Sequence, residues 1–348
     1  MQAVVLAEDR GVGLHPLAAA VPAALAPILG RPLLERLLAA LRTSGVTEAF
    51  VLAEAHATAI ADFLRANAAP LPVHVVRGTS PRGGAGAVAD LLPHLRGPLL
   101  VVQGQALLDL DLDMLIASHR LALAQATLAT ASVSGRLRHG VVTARGARVE
   151  ALREAPPLWE LAPDTFLDTG CYLLERHALA DVPVHGVVDF ARDVFPRLLA
   201  QGTRLAAAPA LRYWRDAATP EAYLALHLDA LGGEWPWEVP ASGHADLGLG
   251  AEIVGPVVCG RRVSLGPQAR VVGPAYCADG VVIGPGAQVT RSVVLDGARV
   301  GAHAEIRDIV VDAHAVVPGG AAAGGAVLGR RRWPARPAQT AATSRATG

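Results

Sequence analysis

The stretch Leu265-Gly-Pro-Gln-Ala-Arg-Val-Val-Gly-Pro-Ala-Tyr-Cys277 places an apolar residue at every sixth position. This six-residue frame slips by one residue after Leu295 and by one again after Ile306. Such periodicity predicts a left-handed parallel β-helix, in which three hexads form one triangular coil and the repeated residue points inward. The frame comprises Leu247, Ile253, Cys259, Leu265, Val271, Cys277, Ile283, Val289, Leu295, Val300, Ile306, Val311 and Val317.

Two cysteines of the repeat, Cys259 and Cys277, are one coil apart along the chain. Both occupy inward positions of the frame, so we expect a buried, stacked structural pair rather than a redox or metal site. Cys171 is the third cysteine and lies outside the repeat. Three cysteines provide no disulfide framework and suit a reducing compartment.

The part of the chain before the repeat alternates between strand-like and helix-like stretches, beginning with the apolar run Met1–Ala7 and a helix from near Leu33 to Gly45. Alternation of this kind predicts an α/β domain around a mostly parallel, mixed sheet. The further strand candidates are Ala49–Leu52, Val73–Val76, Leu99–Val102, Thr127–Val133 and Leu167–Leu174. The further helix candidates are His56–Arg65, Ala87–Leu95, Leu112–Ala124 and Val188–Gln201.

Composition limits the function classes. A chain of 348 residues suggests two domains. Its formal net charge of zero gives no sign of a nucleic-acid or membrane-surface partner. All 31 basic residues are arginines and the chain contains no lysine, so a single arginine carries little weight. The absence of a membrane-length apolar run and of a secretory signal predicts a cytoplasmic protein.

A loop with the layout of a nucleotide-binding segment follows the first strand. It reads Leu6-Ala-Glu-Asp-Arg-Gly-Val-Gly-Leu-His-Pro-Leu-Ala18, and Pro22-Ala-Ala-Leu-Ala-Pro27 precedes the first helix. This layout resembles L-A-G-G-x-G-T-R-L-x-P-L-T and P-K-P-L-x-P, the signatures of the sugar-1-phosphate nucleotidyltransferases. The resemblance implies a Rossmann-like domain that transfers a nucleotide from an NTP to a sugar 1-phosphate and releases pyrophosphate.

The resemblance continues to about residue 228. Ser80-Pro-Arg-Gly-Gly-Ala-Gly86 is similar to G-T-A-G-A-L beside the base, and Val149-Glu-Ala-Leu-Arg-Glu-Ala-Pro156 is similar to V-x-x-F-x-E-K-P beside the sugar. Asp168-Thr-Gly170 resembles N-A/T-G, and Tyr213-Trp-Arg-Asp216 resembles Y-W-x-D, whose aspartate holds magnesium. The resemblance thereby assigns nucleotide and sugar binding to Leu6, Ala7, Gly11, Gly83, Gly84, Gly86, Gly104, Glu154, Asp168 and Gly170, and metal binding to Asp216.

Four positions depart from the family pattern. The family arginine is Gly13, its loop lysine is Ala23, its sugar-phosphate lysine is Ala155, and its first metal aspartate is Gln105. Losing one transition-state donor costs about 3 to 4 kcal/mol, so the four changes together predict negligible turnover.

Two further features of the loop bear on the same prediction. Glu8 and Asp9 replace two glycines whose amides would face the triphosphate. Arg10 is the nearby cation that would have to substitute for the missing arginine and lysines. We expect Mg²⁺ binding to be weak, because one of the two metal carboxylates is absent, and the sequence indicates no other cofactor.

The sequence therefore predicts a catalytically degenerate homologue that binds a nucleotide-sugar or an NTP and acts as a regulatory or scaffolding subunit. Its expected assembly is a homo-oligomer or a hetero-oligomer with an active pyrophosphorylase. The same residues leave open an active enzyme resembling mannose-1-phosphate guanylyltransferase, with a rearranged site. Acyl transfer at His303 or His314 of the β-helix is a weaker alternative, because the coils are few and no long loop interrupts them.

The predicted domain organisation has four parts. A nucleotidyltransferase-like domain occupies residues 1–231, and a linker rich in proline and tryptophan occupies 232–243. The hexapeptide β-helix spans 244–329, and the arginine- and alanine-rich end, residues 330–348, is predicted to be disordered.

Overall fold

The structure, a computed structural model of the full chain, describes residues 1–7, 14, 22–54, 56–78, 81–133, 140–325 and 327–328. The chain divides into two compact units, Met1–Leu226 and the remainder from His227 onward. The tail predicted to be disordered and the loop at residues 8–13 lie outside the described residues. The finer domain bounds proposed from the sequence stay a prediction.

The N-terminal unit is built on a mixed sheet of nine strands in the order β5-β4-β1-β6-β11-β8-β12-β10-β9. Two short ladders, β7 with β13 and β2 with β3, accompany it. The strands are β1 (Gln2–Leu6), β2 (Pro27–Ile28), β3 (Arg31–Pro32), β4 (Glu48–Ala53), β5 (Val73–Arg77), β6 (Leu99–Gln103), β7 (Ala106–Leu110), β8 (Ala126–Ser132), β9 (Val141–Arg145), β10 (Arg148–Arg153), β11 (Thr165–Leu174), β12 (Leu205–Ala208) and β13 (Leu211–Asp216).

Parallel and antiparallel pairings divide the sheet. Strands β5, β4, β1 and β6 are mutually parallel, as the α/β alternation predicts. Strand β11 is antiparallel to β6, β8 and β9, and it joins the parallel half to the remaining strands. The carboxyl ends of β1 and β6 therefore meet at one edge, where ligands bind in open α/β sheets.

Helices alternate with these strands along the chain. They are α1 (Leu33–Thr43), α2 (Ala57–Ala66), α3 (Gly83–Leu91), α4 (Leu112–Leu121), α5 (Phe195–Ala200) and α6 (Pro220–Gly232), with a π-helix at Phe190–Val194 and 3₁₀ turns at Ala23–Leu25, Leu92–His94, Leu158–Glu160 and Arg176–Leu179. Helix α1 buries the leucines at its i, i+1, i+4, i+5 and i+8 positions, beginning with Leu33. A core cluster joins strand residues such as Val101 and Leu128 to Phe195 of α5.

Two helix predictions need correction. Helix α3 begins at Gly83 rather than Ala87, so the three glycines lie in its first turns and not in a preceding turn. The predicted helix Val188–Gln201 begins at Phe190 as a π-helix, capped by Asp189, and continues as α5. Glycine disfavours helices in isolation, so packing determines the start of α3.

The C-terminal unit forms three parallel five-stranded sheets, as the six-residue repeat predicts for a parallel β-helix. Their strands are β14 (Ala245–Leu247), β15 (Glu252–Val254), β16 (Val257–Cys259), β17 (Val263–Leu265), β18 (Arg270–Val272), β19 (Ala275–Cys277), β20 (Val282–Ile283), β21 (Gln288–Thr290), β22 (Val293–Val294), β23 (Arg299–Val300), β24 (Glu305–Arg307), β25 (Val310–Val311), β26 (Val316–Val317), β27 (Ala322–Gly324) and β28 (Val327–Leu328). Every third strand belongs to the same sheet, so each coil contributes one strand to each side.

The interior of the β-helix follows the predicted frame with one correction. Val294, and not Leu295, pairs with Cys277 and belongs to the core cluster. The frame therefore slips one hexad earlier than the sequence suggested, because the corner between β21 and β22 is one residue shorter. In the first coil, Leu247 and Ile253 remain 53% and 38% exposed, since that coil has a neighbouring coil on one side only.

Among the described residues, none of the helices is long and apolar enough to cross a membrane.

Candidate functional site

A cavity of about 260 Å³ in the N-terminal unit lies beside the ends of β6, β10 and β13. It gathers five of the positions singled out from the sequence, namely Gln105, Glu154, Asp168, Gly170 and Asp216. Further lining residues, which the sequence did not single out as site residues, include Gln103, Gly140, Tyr172, Asp189 and Trp214. The motifs that are distant in sequence thus share one concave site, the usual form of a small-molecule pocket.

The ladder between β7 and β13 brings Gln105 and Asp216 together. Asp216 ends β13 and is the register partner of Ala106, the first residue of β7. The amide of Ala217 donates to the carbonyl of Gln105 at 2.8 Å. The two positions that the resemblance assigns to metal therefore lie side by side, although one of them carries an amide.

A bulge in β11 shapes the floor of the cavity. The register with β8 shifts between Asp168 and Cys171. Gly170 has a φ of +70°, and a Cβ at this position would collide with the Gln103 side chain. Only glycine satisfies both conditions without strain, which explains the residue type at this position.

Asp168 is buried in the cavity wall and is 9% exposed. Burial raises the pKa of its carboxyl to about 6, and the nearby Asp189 and Glu154 act in the same direction. Hydrogen bonds donated by the Gly170 amide at 3.1 Å and the Tyr172 hydroxyl at 3.0 Å oppose this shift. Near neutral pH the cavity therefore holds a carboxylate in a poorly solvated position.

Glu154 and Ala155 follow β10 at the cavity rim. The Glu154 carboxylate is about half exposed and forms an ion pair with Arg192 at 3.6 Å. Ala155 is exposed and has a φ of +30°, so the position assigned to the sugar-phosphate lysine carries neither a charge nor a functional side chain.

Asp189 is a lining residue that the sequence reasoning did not assign to the site. Its carboxylate caps the π-helix by accepting from the amides of Ala191 at 2.9 Å and Arg192 at 3.2 Å. The signal that could have identified it is an aspartate directly before a helical segment, which is a capping pattern. Trp214 was quoted within its motif but not singled out, and its indole donates to the carbonyl of Thr169 at 3.1 Å.

A second group of predicted residues meets at the carboxyl end of β1. The Gly104 amide donates to the carbonyl of Leu6 at 2.9 Å, and a Cβ on Gly104 would lie 3.0 Å from the same oxygen. A Cβ on Gly84 would lie 3.0 Å from Leu6 Cδ1, and one on Gly83 would lie 2.5 Å from the carbonyl oxygen of Val188. These glycines permit close packing. Leu6, Ala7, Gly83, Gly84, Gly86 and Gly104 do not line the cavity.

Arg82 is the basic residue of the glycine motif, and it is committed to a structural role. Its side chain is buried and hydrogen-bonds to Asp90 at 3.0 Å and to the carbonyls of Gly186 at 2.8 Å and Pro183 at 2.6 Å. These bonds connect α3 to the loop that precedes Asp189. Arg82 is therefore not a free cation for a phosphate group.

Several predicted positions cannot be placed. Gly11, Gly13 and Arg10 lie outside the described residues, as do Glu8 and Asp9. Ala23, at the loop-lysine position, is described and lies buried in a 3₁₀ turn.

The two histidines of the acyl-transfer alternative are exposed at corners of the β-helix. His303 and His314 both have positive φ, at 58° and 59°. Their rings cover Gly286 and Gly297 of the preceding coil, because a Cβ on either glycine would lie 2.5 Å from an imidazole Nδ1. This packing gives both histidines a structural role, and the acyl-transfer alternative stays a prediction.

The charged side chains that line the cavity are all acidic. Its lining includes four carboxylates, those of Glu154, Asp168, Asp189 and Asp216, and no lysine, arginine or histidine among the described residues. Such a lining disfavours a ligand with a high negative charge.

A resident magnesium ion fits these residues poorly. Magnesium prefers carboxylate oxygens in octahedral geometry, whereas Gln105 offers a neutral amide and one Asp216 oxygen accepts from the Ala218 amide at 3.0 Å. The described part of the chain holds no group of three or more histidine, cysteine, aspartate or glutamate side chains arranged for a metal. No catalytic step through a metal follows from this arrangement.

Known proteins match both the C-terminal repeat and most of the chain as a whole. Residues 262–329 match the family model described as GlmU-like, C-terminal hexapeptide. The mannose-1-phosphate guanylyltransferase of Mycobacterium tuberculosis is 32% identical over 276 residues, which are 75% of each chain. The probable mannose-1-phosphate guanylyltransferase 1 of Oryza sativa subsp. japonica is 28% identical over 328 residues, which are 91% of this chain and 87% of the relative.

A solved structure shares the fold of about two thirds of the chain. HddC from Yersinia pseudotuberculosis, in its complex with GMP-PN, superposes with a TM-score of 0.55 at 21% sequence identity. The match covers 65% of this chain and 97% of that chain.

Proposed function

Because this chain belongs to the sugar-1-phosphate nucleotidyltransferase family, we propose that it binds a sugar nucleotide without catalysing nucleotidyl transfer. In this proposal it acts as a regulatory or scaffolding subunit in sugar-nucleotide synthesis. The observation that carries the proposal is Gln105, which lies beside Asp216 in the cavity, where the family resemblance has a metal-binding aspartate.

The chemistry of nucleotidyl transfer supports this reading of Gln105. Negative charge develops on the phosphoryl oxygens in the transition state, and positioned cations and a divalent metal stabilise it. The Gln105 amide lacks the charge that holds such a metal. Ala155 and Ala23 likewise offer no cation at two positions where the family has lysine.

The charges of the cavity favour a sugar nucleotide over an NTP as its ligand. A sugar nucleotide carries about two negative phosphate charges, against about four on a free NTP near neutral pH. Four carboxylates line the cavity, so they penalise an NTP more than a sugar nucleotide. A ligand such as GDP-mannose is therefore preferred to GTP. The guanine base and the mannose follow the names of the relatives.

An active NTP:sugar-1-phosphate nucleotidyltransferase, forming an NDP-sugar for glycan synthesis, is the second candidate. The names of the relatives and the retained Asp216 in the cavity favour it. The two candidates differ in turnover.

Two measurements on the purified full-length chain separate them. In the first, thermal unfolding is followed with a panel of NTPs and NDP-sugars, and we expect an NDP-sugar to raise the melting temperature more than any NTP. In the second, pyrophosphate release is measured with Mg²⁺, each NTP and sugar 1-phosphates, and we expect no release above background. The variant to be compared is Asp216→Ala. Its matched control in both measurements is Asp113→Asn, which changes a carboxylate on α4 that does not line the cavity.

Turnover in the ordinary range of an enzyme, lost in Asp216→Ala, would overturn the proposal and establish the second candidate. Stabilisation by GTP alone would contradict the ligand preference. The subunit role requires assembly with itself or with an active pyrophosphorylase. Light scattering of the chain alone and mixed with such an enzyme would detect either assembly.

A further inference from the structure

Cys259 and Cys277 occupy equivalent places in adjacent coils of the β-helix. Each ends its strand, β16 or β19, and the two residues are register partners in a parallel pair. Both side chains point inward and are buried, at 3% and 0% exposure. Neighbouring strands lie about 4.7 to 4.9 Å apart, which is within the Cα separation of about 4.4 to 6.8 Å that a disulfide requires.

The two thiols already contact each other. The Cys277 thiol donates a hydrogen bond to the Cys259 sulfur. The Ser242 side chain hydrogen-bonds to the same sulfur, and its oxygen accepts from the Cys259 amide at 3.0 Å.

These hydrogen bonds make the thiols unequal. Donation by Cys277, followed by the smaller effect of Ser242, lowers the pKa of Cys259 below the ordinary value of a thiol despite its burial. The pKa of Cys277 is raised well above its ordinary value by the hydrogen bond to Cys259 and by burial. Of the described residues, Cys277 is the titratable group that acts on Cys259. Cys259 is therefore the more nucleophilic thiol at neutral pH.

Cys259 also lies at the end of its stack. Strand β16 is the first strand of its sheet, and the segment Ser242–Gly243 runs above it, where the Gly243 amide donates to the Cys259 carbonyl at 2.6 Å. Local opening of this short segment would uncover the end of the stack without separating two complete coils. Cys171 differs, because it is fully buried in β11 and burial raises its pKa to about 12.

In contrast to the purely structural pair expected from the sequence, we propose that Cys259 and Cys277 are a redox-active thiol pair, which a peroxide converts into a disulfide between the first two coils. The Cys259 thiolate attacks a peroxide oxygen, the O–O bond breaks, and Cys259 becomes a sulfenic acid as one water leaves. The Cys277 sulfur then attacks the Cys259 sulfur, loses its proton, and displaces a second water. The two thiols lose two electrons in total and hydrogen peroxide gains them. The proposal is independent of nucleotide binding.

The test uses the reduced full-length chain, treated with hydrogen peroxide and then alkylated under denaturing conditions. We expect the number of alkylated thiols to fall from three to one, with Cys171 the one that remains, and dithiothreitol to restore all three. Trypsin cleaves after Arg261 and Arg270 and so separates the pair. A non-reduced digest should therefore contain one linked peptide with both cysteines.

The dependence of the reaction rate on pH distinguishes a redox-active pair from two cysteines that are merely adjacent. The attacking species is the thiolate and the pKa of Cys259 is lowered, so the rate should rise with pH and level off at a lower pH than for an ordinary cysteine. Ser242→Ala removes a hydrogen bond to the sulfur and should slow the reaction. Cys171→Ser should leave both the linkage and the rate unchanged.

Three alkylated thiols after peroxide treatment would overturn the proposal. So would a disulfide that involves Cys171 or a second copy of the chain, or accumulation of Cys259 sulfinic acid without a linked peptide. Mapping the linkage in the unmutated chain keeps the test decisive if Cys277→Ala fails to fold. If that variant does fold, as judged by circular dichroism, it should form no linked peptide.

Discussion

Asp168 is a carboxylic acid where the family resemblance places an asparagine, and its surroundings suit a neutral side chain. It is buried beside Asp189 and Glu154, and its pKa is raised to about 6. Its two oxygens contact the Gly170 amide and the Tyr172 hydroxyl. An amide can keep both contacts, because its oxygen accepts from the Gly170 amide and its nitrogen donates to the Tyr172 oxygen.

We predict that Asp168→Asn stabilises the protein at pH 8 and has a much smaller effect on its stability at pH 4. A folded pKa above the unfolded value means that unfolding free energy is lost as pH rises through about 6. The shift from 3.8 to about 6 corresponds to a loss of about 3 kcal/mol, which the amide does not suffer. Urea denaturation at both pH values measures the difference.

The matched control is Asp62→Asn, which changes an exposed carboxylate on α2. Its effect should be small at both pH values. Equal stability of Asp168→Asn and the unmutated chain at pH 8 would contradict the argument.

At the scale of elements, the sequence predicted the strands that carry strong apolar runs, such as β1 and β6. It did not single out β7 and β13 as a ladder, because Ala106–Leu110 and Leu211–Asp216 form strands by pairing with each other across a long sequence separation. It also placed the start of α3 too late. Close packing around Gly84 determines that start, and such contacts between distant residues have no signal in the local sequence. The juxtaposition of Gln105 with Asp216 was available only through the resemblance.

The contact between α3 and the loop before the π-helix depends on Arg82. We predict that Arg82→Ala lowers the unfolding free energy by about 2 to 3 kcal/mol, since it removes the bonds to Gly186, Pro183 and Asp90. Chemical denaturation of the full chain provides the measurement.

Arg65→Ala is the comparison variant, because Arg65 pairs with Asp62 while both side chains are exposed. Its expected cost is below about 0.5 kcal/mol. Similar effects of the two variants would show that the buried contacts of Arg82 contribute little.

At the scale of the whole molecule, the β-helix is the part that the sequence describes best. A repeat of six fixes both the strand and the side that faces inward, and the prediction failed only at a corner where one residue is missing. The mixed half of the N-terminal sheet has no comparable repeat, so its strand order could not be derived from periodicity.

We predict that Ile283→Asp destabilises the β-helix by more than about 4 kcal/mol and promotes aggregation, because it buries an unpaired carboxylate. Ile283 is fully buried within the core cluster. Thermal unfolding and sedimentation of the full chain test this. Val316→Asp is the control, because Val316 is 66% exposed and lies beside the inward Val317. An unchanged melting curve for Ile283→Asp would mean that the inward assignment is wrong.

Because one corner is a residue shorter, the number of residues per coil differs between the first coils and the later ones. Partners in the first coils are 18 residues apart, as with Arg261 and Asp279, whereas later partners such as Arg291 and Asp308 are 17 apart. A tandem duplication of 17 residues beyond Cys277 would preserve the inward register of everything downstream. The same duplication nearer the start would shift each later side chain by one place and turn apolar residues outward. Whole coils can therefore be inserted or removed in two different increments, and the increment depends on where along the solenoid the change is made.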